Sequence, residues 1–330
     1  MILVTGATGL VGSHLIVKLL QENEEVKAIY REEKNLSAVK NIFLHYNSIA
    51  LFEKINWVKA DITDIPSLEI AFEGITKVYH CAAFISFDPN DKEKLMKINA
   101  EGTANIINCC LDFKVEKLCY VSSVAALGDP TDKQHIITEE TEYNPEKLHN
   151  EYAISKYAAE MEVWRGFQEG LKVVIVNPGV IFGFGFPNNG SSAVIKAIKK
   201  GNPFYTKGKF GIVAVEDVVN CMTQLMKTSI NGERFTLVAE NPTFEKILNL
   251  VADTLNVKRP FIYANRSFLS FAWRLDWLLS IILRKKRLIT KATAKTSHST
   301  KEFDNSKIKE TLNYKFIQMD EYLRNLIPLF

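Results

Sequence analysis

An apolar run, Ile2, Leu3 and Val4, passes directly into Thr5-Gly6-Ala7-Thr8-Gly9-Leu10-Val11-Gly12. Few folds can use such a segment. A glycine where a strand ends permits a tight turn. A second lets the backbone approach a pyrophosphate, and a third lets the next helix pack closely on the strand. The helix starting near Leu10 then aims free N–H groups and its positive end at whatever lies over the loop. The segment predicts a dinucleotide-binding strand–turn–helix, with Gly6, Thr8, Gly9, Leu10, Val11 and Gly12 against the phosphates. A plain tight turn is the competing reading; the flanking strand and apolar helix weigh against it.

The pattern continues. Short apolar runs at 26–30, 57–59, 77–80, 117–121 and 173–176 alternate with segments whose apolar residues recur every three to four positions. Strand–helix alternation means an α/β fold: a doubly wound parallel sheet of Rossmann type, covered on both faces. Residues 1–180 are expected to form this dinucleotide-binding domain, with elements at about 211–240 returning to it. Residues 181–330 have longer loops and are expected to form mainly a smaller C-terminal substrate-binding cap. A length of 330 residues, 47% hydrophobic and 24% charged, suits one large or two fused globular domains and excludes a disordered or fibrous chain. The five cysteines form no CxxC pair, so neither a disulfide framework nor a metal site is expected. The first residues lack a basic region ahead of an apolar core, and no run of about 18 apolar residues occurs, so a cytoplasmic protein is expected.

The end of the second strand selects the nucleotide. NAD binders place a carboxylate there for the ribose hydroxyls. Here Arg31 stands in that place and Glu32 follows it. A guanidinium there can stack on adenine and fork to a 2′-phosphate, which favours NADP, with NAD open because of Glu32. Asp61 and Ile62 follow the third strand and are placed at the adenine edge. Ala82 and Ala83 follow the fourth, where small side chains leave room for a cofactor.

Tyr152 and Lys156 are four residues apart, so on a helix they share a face. An ammonium beside a phenol lowers the phenol's pKa and fits it for proton transfer to a carbonyl or alcohol oxygen. Ser123 ends the apolar strand 117–121, on the sheet edge where such folds bind ligands. Asn177-Pro178-Gly179-Val180-Ile181 follows the next strand, and Pro178 and Ile181 are expected to wall the nicotinamide.

Together these pieces resemble the extended short-chain dehydrogenase/reductase family, also called the NAD-dependent epimerase/dehydratase family. The matching runs are TGATGLVG at 5–12, ADI at 60–62, INAEGT at 98–103, YVSS at 120–123, the Tyr152/Lys156 pair, NPGVIFG at 177–183 and VEDV at 215–218. The likeness spans about 1–240 and continues weakly into FDNSKIKETLNY at 303–314. It implies Ser123, Tyr152 and Lys156 as the catalytic triad, Tyr152 being the acid/base and Lys156 also holding the ribose. Asn99 matches a family asparagine whose role is mostly structural. The nearer likeness is to the dihydroflavonol reductase, cinnamoyl-CoA reductase and 3β-hydroxysteroid dehydrogenase group. That implies an NAD(P)-dependent oxidoreductase that reduces a carbonyl or oxidises a secondary alcohol. The alternative is a nucleotide-sugar epimerase. Against it, Val124 and Ala125 follow Ser123 where dehydratases carry an Asp-Glu pair, and no arginine precedes the VEDV turn. Phe182, Phe184, Phe186, Phe204 and Tyr205 hint at an apolar or aromatic substrate. The resemblance also implies a homodimer through helices near 95–110 and 151–167, the second carrying Met161, Trp164 and Phe167.

Charge is distributed unevenly. Residues 258–301 carry eleven basic residues against one acid, Asp276, whereas 1–257 carry 26 basic and 32 acidic. Within that segment, 268–283 is apolar apart from Ser270, Arg274, Asp276 and Ser280, and Arg284-Lys285-Lys286-Arg287 follows. Two readings stay open: a cap helix closing over the substrate, and peripheral membrane contact through 268–287. No nucleic-acid-binding motif is present, so no nucleic-acid partner is expected. A bare NADP sensor would not need the triad.

Overall fold

The computed structural model describes residues 1–130, 136–186, 191–283 and 290–330. Its centre is a seven-stranded sheet of β1 (Ile2–Thr5), β2 (Val26–Tyr30), β3 (Asn56–Lys59), β4 (Lys77–His80), β5 (Lys117–Val121), β6 (Val173–Pro178) and β7 (Glu233–Leu237). The spatial order is β7-β6-β5-β4-β1-β2-β3, and every pair is parallel. Order reverses beside β1, so the carboxyl ends of β1 and β4 diverge into a crevice. Strands covered on both faces need apolar residues at every position. β6 is buried from end to end, whereas β3, at the edge, exposes Asn56 and Lys59.

Five helices matter for the site: α1 (Leu10–Gln21), α2 (Gly102–Asp112), α3 (Glu151–Gln168), α4 (Val215–Lys227) and α5 (Arg266–Leu283). Leu15, Leu19 and Val218 belong to one core layer on the sheet, and Ile106, Ala159 and Val163 to the other. A third apolar cluster, with Ile195, Ile212, Leu250 and Leu323, lies among the cap elements.

One expected return to the sheet does not occur. Of the elements near 211–240, β7 joins the sheet and α4 packs on its face, while the short strand before α4 does not join it. Ile212–Ala214 pairs instead with Val180–Phe182 as a separate two-stranded ribbon. The backbone explains the detour: a Cβ on Gly179 would lie 2.5 Å from the Gly211 carbonyl oxygen, so the two segments are held together immediately after β6 ends.

The helix α5 rests on the cap through buried Leu269 and through Phe268, which stacks on Phe204 at 5.3 Å. Phe271, Leu275 and Leu278 point to solvent. The basic residues 284–287 lie outside the described residues. Among the described residues no helix is long and apolar enough to cross a membrane.

The glycine turn depends on contacts closer than a side chain allows. Gly6 has φ of 64°, and a Cβ there would meet the Ala82 nitrogen at 2.6 Å. A Cβ on Gly12 would meet the Gly6 carbonyl oxygen at 2.3 Å. Both obstacles are backbone, which cannot swing aside. Gly12→Ala is therefore expected to cost about 1–3 kcal/mol of stability, read as a lower urea midpoint at unchanged m-value.

Candidate active site

One end of the crevice is built by β1, the glycine turn and α1. Gly9 is the N-cap of α1 and has no side chain to occupy the helix terminus; the first turn carries no acidic residue. Gly9 N–H donates to the Gly6 carbonyl at 2.9 Å, which closes the turn. Thr8, Gly9, Leu10 and Val11 are only half-buried. An uncapped, unopposed helix N-terminus beneath an open glycine turn fits a dinucleotide pyrophosphate. Ala82 and Ala83 follow β4, and the Ala82 backbone is the wall that Gly6 touches.

Arg31 and Asp61 meet across the ends of β2 and β3, with Nη1 3.9 Å from the carboxylate. Asp61 Oδ1 also accepts from the Thr63 amide and hydroxyl at 2.9 and 2.8 Å. Ile62 is buried, and Asn105 Nδ2 donates to its carbonyl at 3.0 Å. Glu32 pairs with Lys34 at 2.5 Å, and that contact lowers its carboxyl pKa.

A buried hydrogen-bond chain lies beneath the loop. Burial, reinforced by the Lys156 charge, lowers the His80 pKa to about 3, so the ring is neutral. Its partners then assign the protons. Thr103 Oγ donates its one proton to the Asn99 carbonyl at 2.5 Å, so at 3.0 Å it accepts from His80 Nε2. His80 Nδ1 is therefore an acceptor and takes the Thr5 hydroxyl proton at 2.6 Å. Thr5 Oγ1 in turn accepts the Ala82 amide at 3.2 Å. Asn99 clamps the Phe84 backbone from both sides, at 2.7 and 3.0 Å, and donates to Ser155 at 2.9 Å. Its side chain is thus fully engaged in holding the β4 exit onto α3.

The other end of the crevice combines β5, α3 and β6. Asn150 caps α3 by accepting the Ala153 amide at 2.7 Å, and Tyr152 and Lys156 follow on one face. Ser123 Oγ accepts the Ala125 amide at 3.1 Å, leaving its own proton to donate. The Ser123 hydroxyl pulls the Tyr152 pKa down, but burial dominates and the net pKa of Tyr152 is raised, not lowered. The spacing argument expected the ammonium to lower it. Lys156 Nζ instead donates to the Tyr120 hydroxyl at 2.7 Å and the Val121 carbonyl at 2.8 Å. Burial lowers the Lys156 pKa to about 7, with Glu160 and Cys81 opposing.

Sequence reasoning missed Tyr120, Glu160 and Arg234. Glu160 is fully buried and one turn beyond Lys156. Its Oε2 accepts from Ser122 at 2.5 Å and Asn177 at 2.9 Å, and its Oε1 pairs with Arg234 at 2.9 Å. Asn177 Nδ2 also donates to the Ser123 carbonyl at 3.1 Å. The signal for Glu160 was present: a carboxylate at i+4 from Lys156 shares its buried face. Pro178 is buried at the end of β6, and Ile181 sits half-buried in the ribbon, its carbonyl accepting from Ser191 at 2.7 Å.

A profile of the NAD dependent epimerase/dehydratase family matches residues 2–237. A putative dihydroflavonol 4-reductase from Synechocystis sp. is 32% identical over 252 residues, covering 74% of this chain and 69% of that protein. Sterol demethylase protein B from Methylococcus capsulatus is 28% identical over 260 residues, covering 78% and 75%. Among solved structures, that of gox2253 superposes with a TM-score of 0.81 at 27% identity, covering 100% of this chain and 97% of the other. A UDP-glucose 4-epimerase from Thermotoga maritima, solved with UDP-glucose, reaches 0.78 at 19% identity, covering 100% and 98%; that likeness is one of fold alone.

The lowered Lys156 pKa has a consequence for stability. Between pH 7 and its unfolded value the unfolded chain binds a proton that the native protein does not, so stability rises with pH across that window. Below pH 7 the full cost of charging the buried amine is present. Relative to Lys156→Met, wild type is expected to gain on the order of 1 kcal/mol per pH unit between pH 7 and pH 9. Paired urea titrations at the two pH values measure it; a flat difference would place the lysine pKa outside the window.

Proposed function

The chain belongs to the NAD dependent epimerase/dehydratase family, and we propose that within it the protein is an NADP-dependent reductase of a carbonyl group, with an apolar or aromatic small-molecule substrate. The reading rests above all on Ser123 and Tyr152, close enough for the serine hydroxyl to act on the phenol, with Ser123 just beyond the end of β5 and followed by Val124 and Ala125 rather than by acids. Proton delivery without a neighbouring carboxylate suits simple reduction. It does not suit the proton abstraction of an elimination. The relative from Synechocystis, a putative dihydroflavonol 4-reductase, supports the same reading.

The bound nicotinamide supplies the hydride. The chain's own task is orientation and the proton. Because burial raises the Tyr152 pKa, the phenol is protonated at neutral pH and can give its proton to the substrate oxygen. When substrate is bound, the Ser123 hydroxyl turns its one proton from the Tyr152 phenol to that oxygen. Lys156 anchors the rear of the site on Tyr120 and Val121, and we assign its amine also to the cofactor ribose. Gly6, Thr8, Gly9, Leu10, Val11 and Gly12 cradle the pyrophosphate, Asp61 and Ile62 border the adenine, and Ala82, Ala83, Pro178 and Ile181 border the rest of the cofactor. Residues 181–330, apart from β7 and α4, serve as the substrate cap. The assembly this reading carries is a homodimer through α2 and α3.

The pairing of Glu32 with Lys34 supports NADP. It engages the carboxylate that would otherwise take the ribose hydroxyls, while the Arg31 guanidinium, 3.9 Å from Asp61, stays exposed. One phosphate fork is worth about 1.5–3 kcal/mol. NADPH is therefore expected to bind more than tenfold tighter than NADH, and Arg31→Ala to abolish the difference. Equal affinities in wild type would return the choice to NAD.

The reaction class is tested by supplying ketones, aldehydes and UDP-sugars with NADPH. Net consumption of NADPH in step with product is expected. Tyr152→Phe should bind cofactor normally and lose on the order of 10²-fold or more in kcat. Isomerised UDP-sugar with unconsumed dinucleotide would establish the epimerase instead.

A further inference from the structure

The helix α5 is mounted with its apolar side outward. Leu269 is buried, and Ala272, Trp273, Asp276 and Ser280 are half-buried against the cap. The opposite face carries Phe271, 67% exposed, Leu278, 47%, and Leu275, 44%. With Phe268 they form a single stripe at spacings of three, four and three residues. Soluble surfaces scatter such residues singly. Here the stripe continues beyond the helix. Phe268 stacks on Phe204, whose strand Phe204–Tyr205 pairs with Ile262–Tyr263. Phe261, at 60%, Ile262 and Tyr263 are exposed as well.

A basic cleft adjoins this apolar surface. It encloses about 350 Å³ and is lined by Lys199, Lys200, Lys258 and Arg259 around Pro203 and Phe261. Arg259 is forked onto Asp253 at 2.6 and 2.7 Å, and Lys199 reaches the Phe330 carbonyl at 3.3 Å. Lys258 lies over the Phe261 ring at 4.1 Å, which joins the charged cleft to the apolar patch. Across 258–283 four cations, Lys258, Arg259, Arg266 and Arg274, accompany one acid, Asp276.

We propose that this face docks the protein on an anionic lipid bilayer. The helix α5 lies in the plane of the membrane surface, with Phe271, Leu275 and Leu278 in the boundary between headgroups and acyl chains. The Lys199, Lys200 and Lys258 cleft takes a lipid phosphate. Charge complementarity selects this occupant. A second copy of the chain would bring the same cations against themselves, and nucleic acid offers nothing to bury Leu275 and Leu278. The surface lies on the membrane and does not cross it, since among the described residues no helix can span. An interfacial helix needs both an apolar stripe and nearby cations, and both are contiguous here.

Sedimentation of the full chain with vesicles tests this. One set contains phosphatidylglycerol and phosphatidylcholine, the other phosphatidylcholine alone, each at low and high salt. Wild type is expected to pellet with the anionic vesicles at low salt, and at least tenfold less with neutral ones or at high salt. The pair Phe271→Glu/Leu278→Glu and the pair Lys200→Glu/Lys258→Glu should each weaken pelleting at least tenfold. Both pairs should keep wild-type thermal midpoints and NADPH binding, which separates loss of docking from loss of folding. Absence of pelleting at low salt, or undiminished pelleting of either variant, would overturn the proposal. So would a dimer in light scattering that Phe271→Glu/Leu278→Glu dissolves, because the face would then belong to a second copy. Vesicle binding requires no turnover, so its failure and a failure of the reductase reading are read in separate assays.

Discussion

Everything at the crevice depends on how closely two stretches of backbone approach beneath the glycine turn. The Gly6 Cα lies against the Ala82 peptide, and α1 begins with Gly12 against the Gly6 carbonyl. This closeness fixes the direction of α1 and therefore where its free N–H groups point. Glycine alone would leave the contact floppy, because glycine loses the most conformational freedom on ordering. The neutral His80 supplies the rigidity. Its ring receives the Thr5 proton on one side and gives its own to Thr103 on the other. One buried imidazole thus ties the end of β1 to the end of β4 and both to Asn99, which in turn holds α3 through Ser155.

The same chain reaches the other end of the crevice. Lys156 donates to the Tyr120 hydroxyl at 2.7 Å, and Thr103 acts on the same phenol, lowering its pKa against the stronger effect of burial. The glycine turn and α3 are therefore parts of one hydrogen-bonded unit. Burying so many polar groups is tolerable only when each finds a partner. Glu160 shows the condition most clearly. It is fully enclosed, yet Ser122, Asn177 and Arg234 satisfy it. Removing one member of such a group typically costs more than the group contributes as a whole. Glu160 also raises the Lys156 pKa against burial, so a carboxylate that never faces the substrate helps to set the charge of a residue that we place there.

Legibility differed along the chain for physical reasons. The parallel sheet was readable because strands buried on both faces are nearly continuous apolar runs, as in Val173-Val174-Ile175-Val176. The glycine turn was readable because only glycine survives those contacts. The ribbon 180–182 with 212–214 was not. Three-residue strands carry no period, and their pairing is decided by the Gly179–Gly211 approach, which is a distant contact. The pKa of Tyr152 was misjudged for a related reason. Helical spacing places Lys156 on the right face but does not say where its flexible stem ends, and Tyr120 and Val121 claim it.

The helix α5 illustrates the same limit at larger scale. Periodicity shows that a stripe exists and not which side of it meets the protein, because a stripe facing inward and one facing outward have identical spacing. Direction is set by whichever neighbour is available. Here Leu269 is seated in the cap and Phe268 lies on Phe204, and those two contacts in the first turn aim the rest of the helix. The residues placed inward include Asp276 and Ser280, and those left outside include Phe271 and Leu278. The hydrophobic effect alone would favour the opposite rotation. A fold retains such an arrangement at a cost in its water-exposed state, and that cost is recovered wherever the outer face meets something less polar than water.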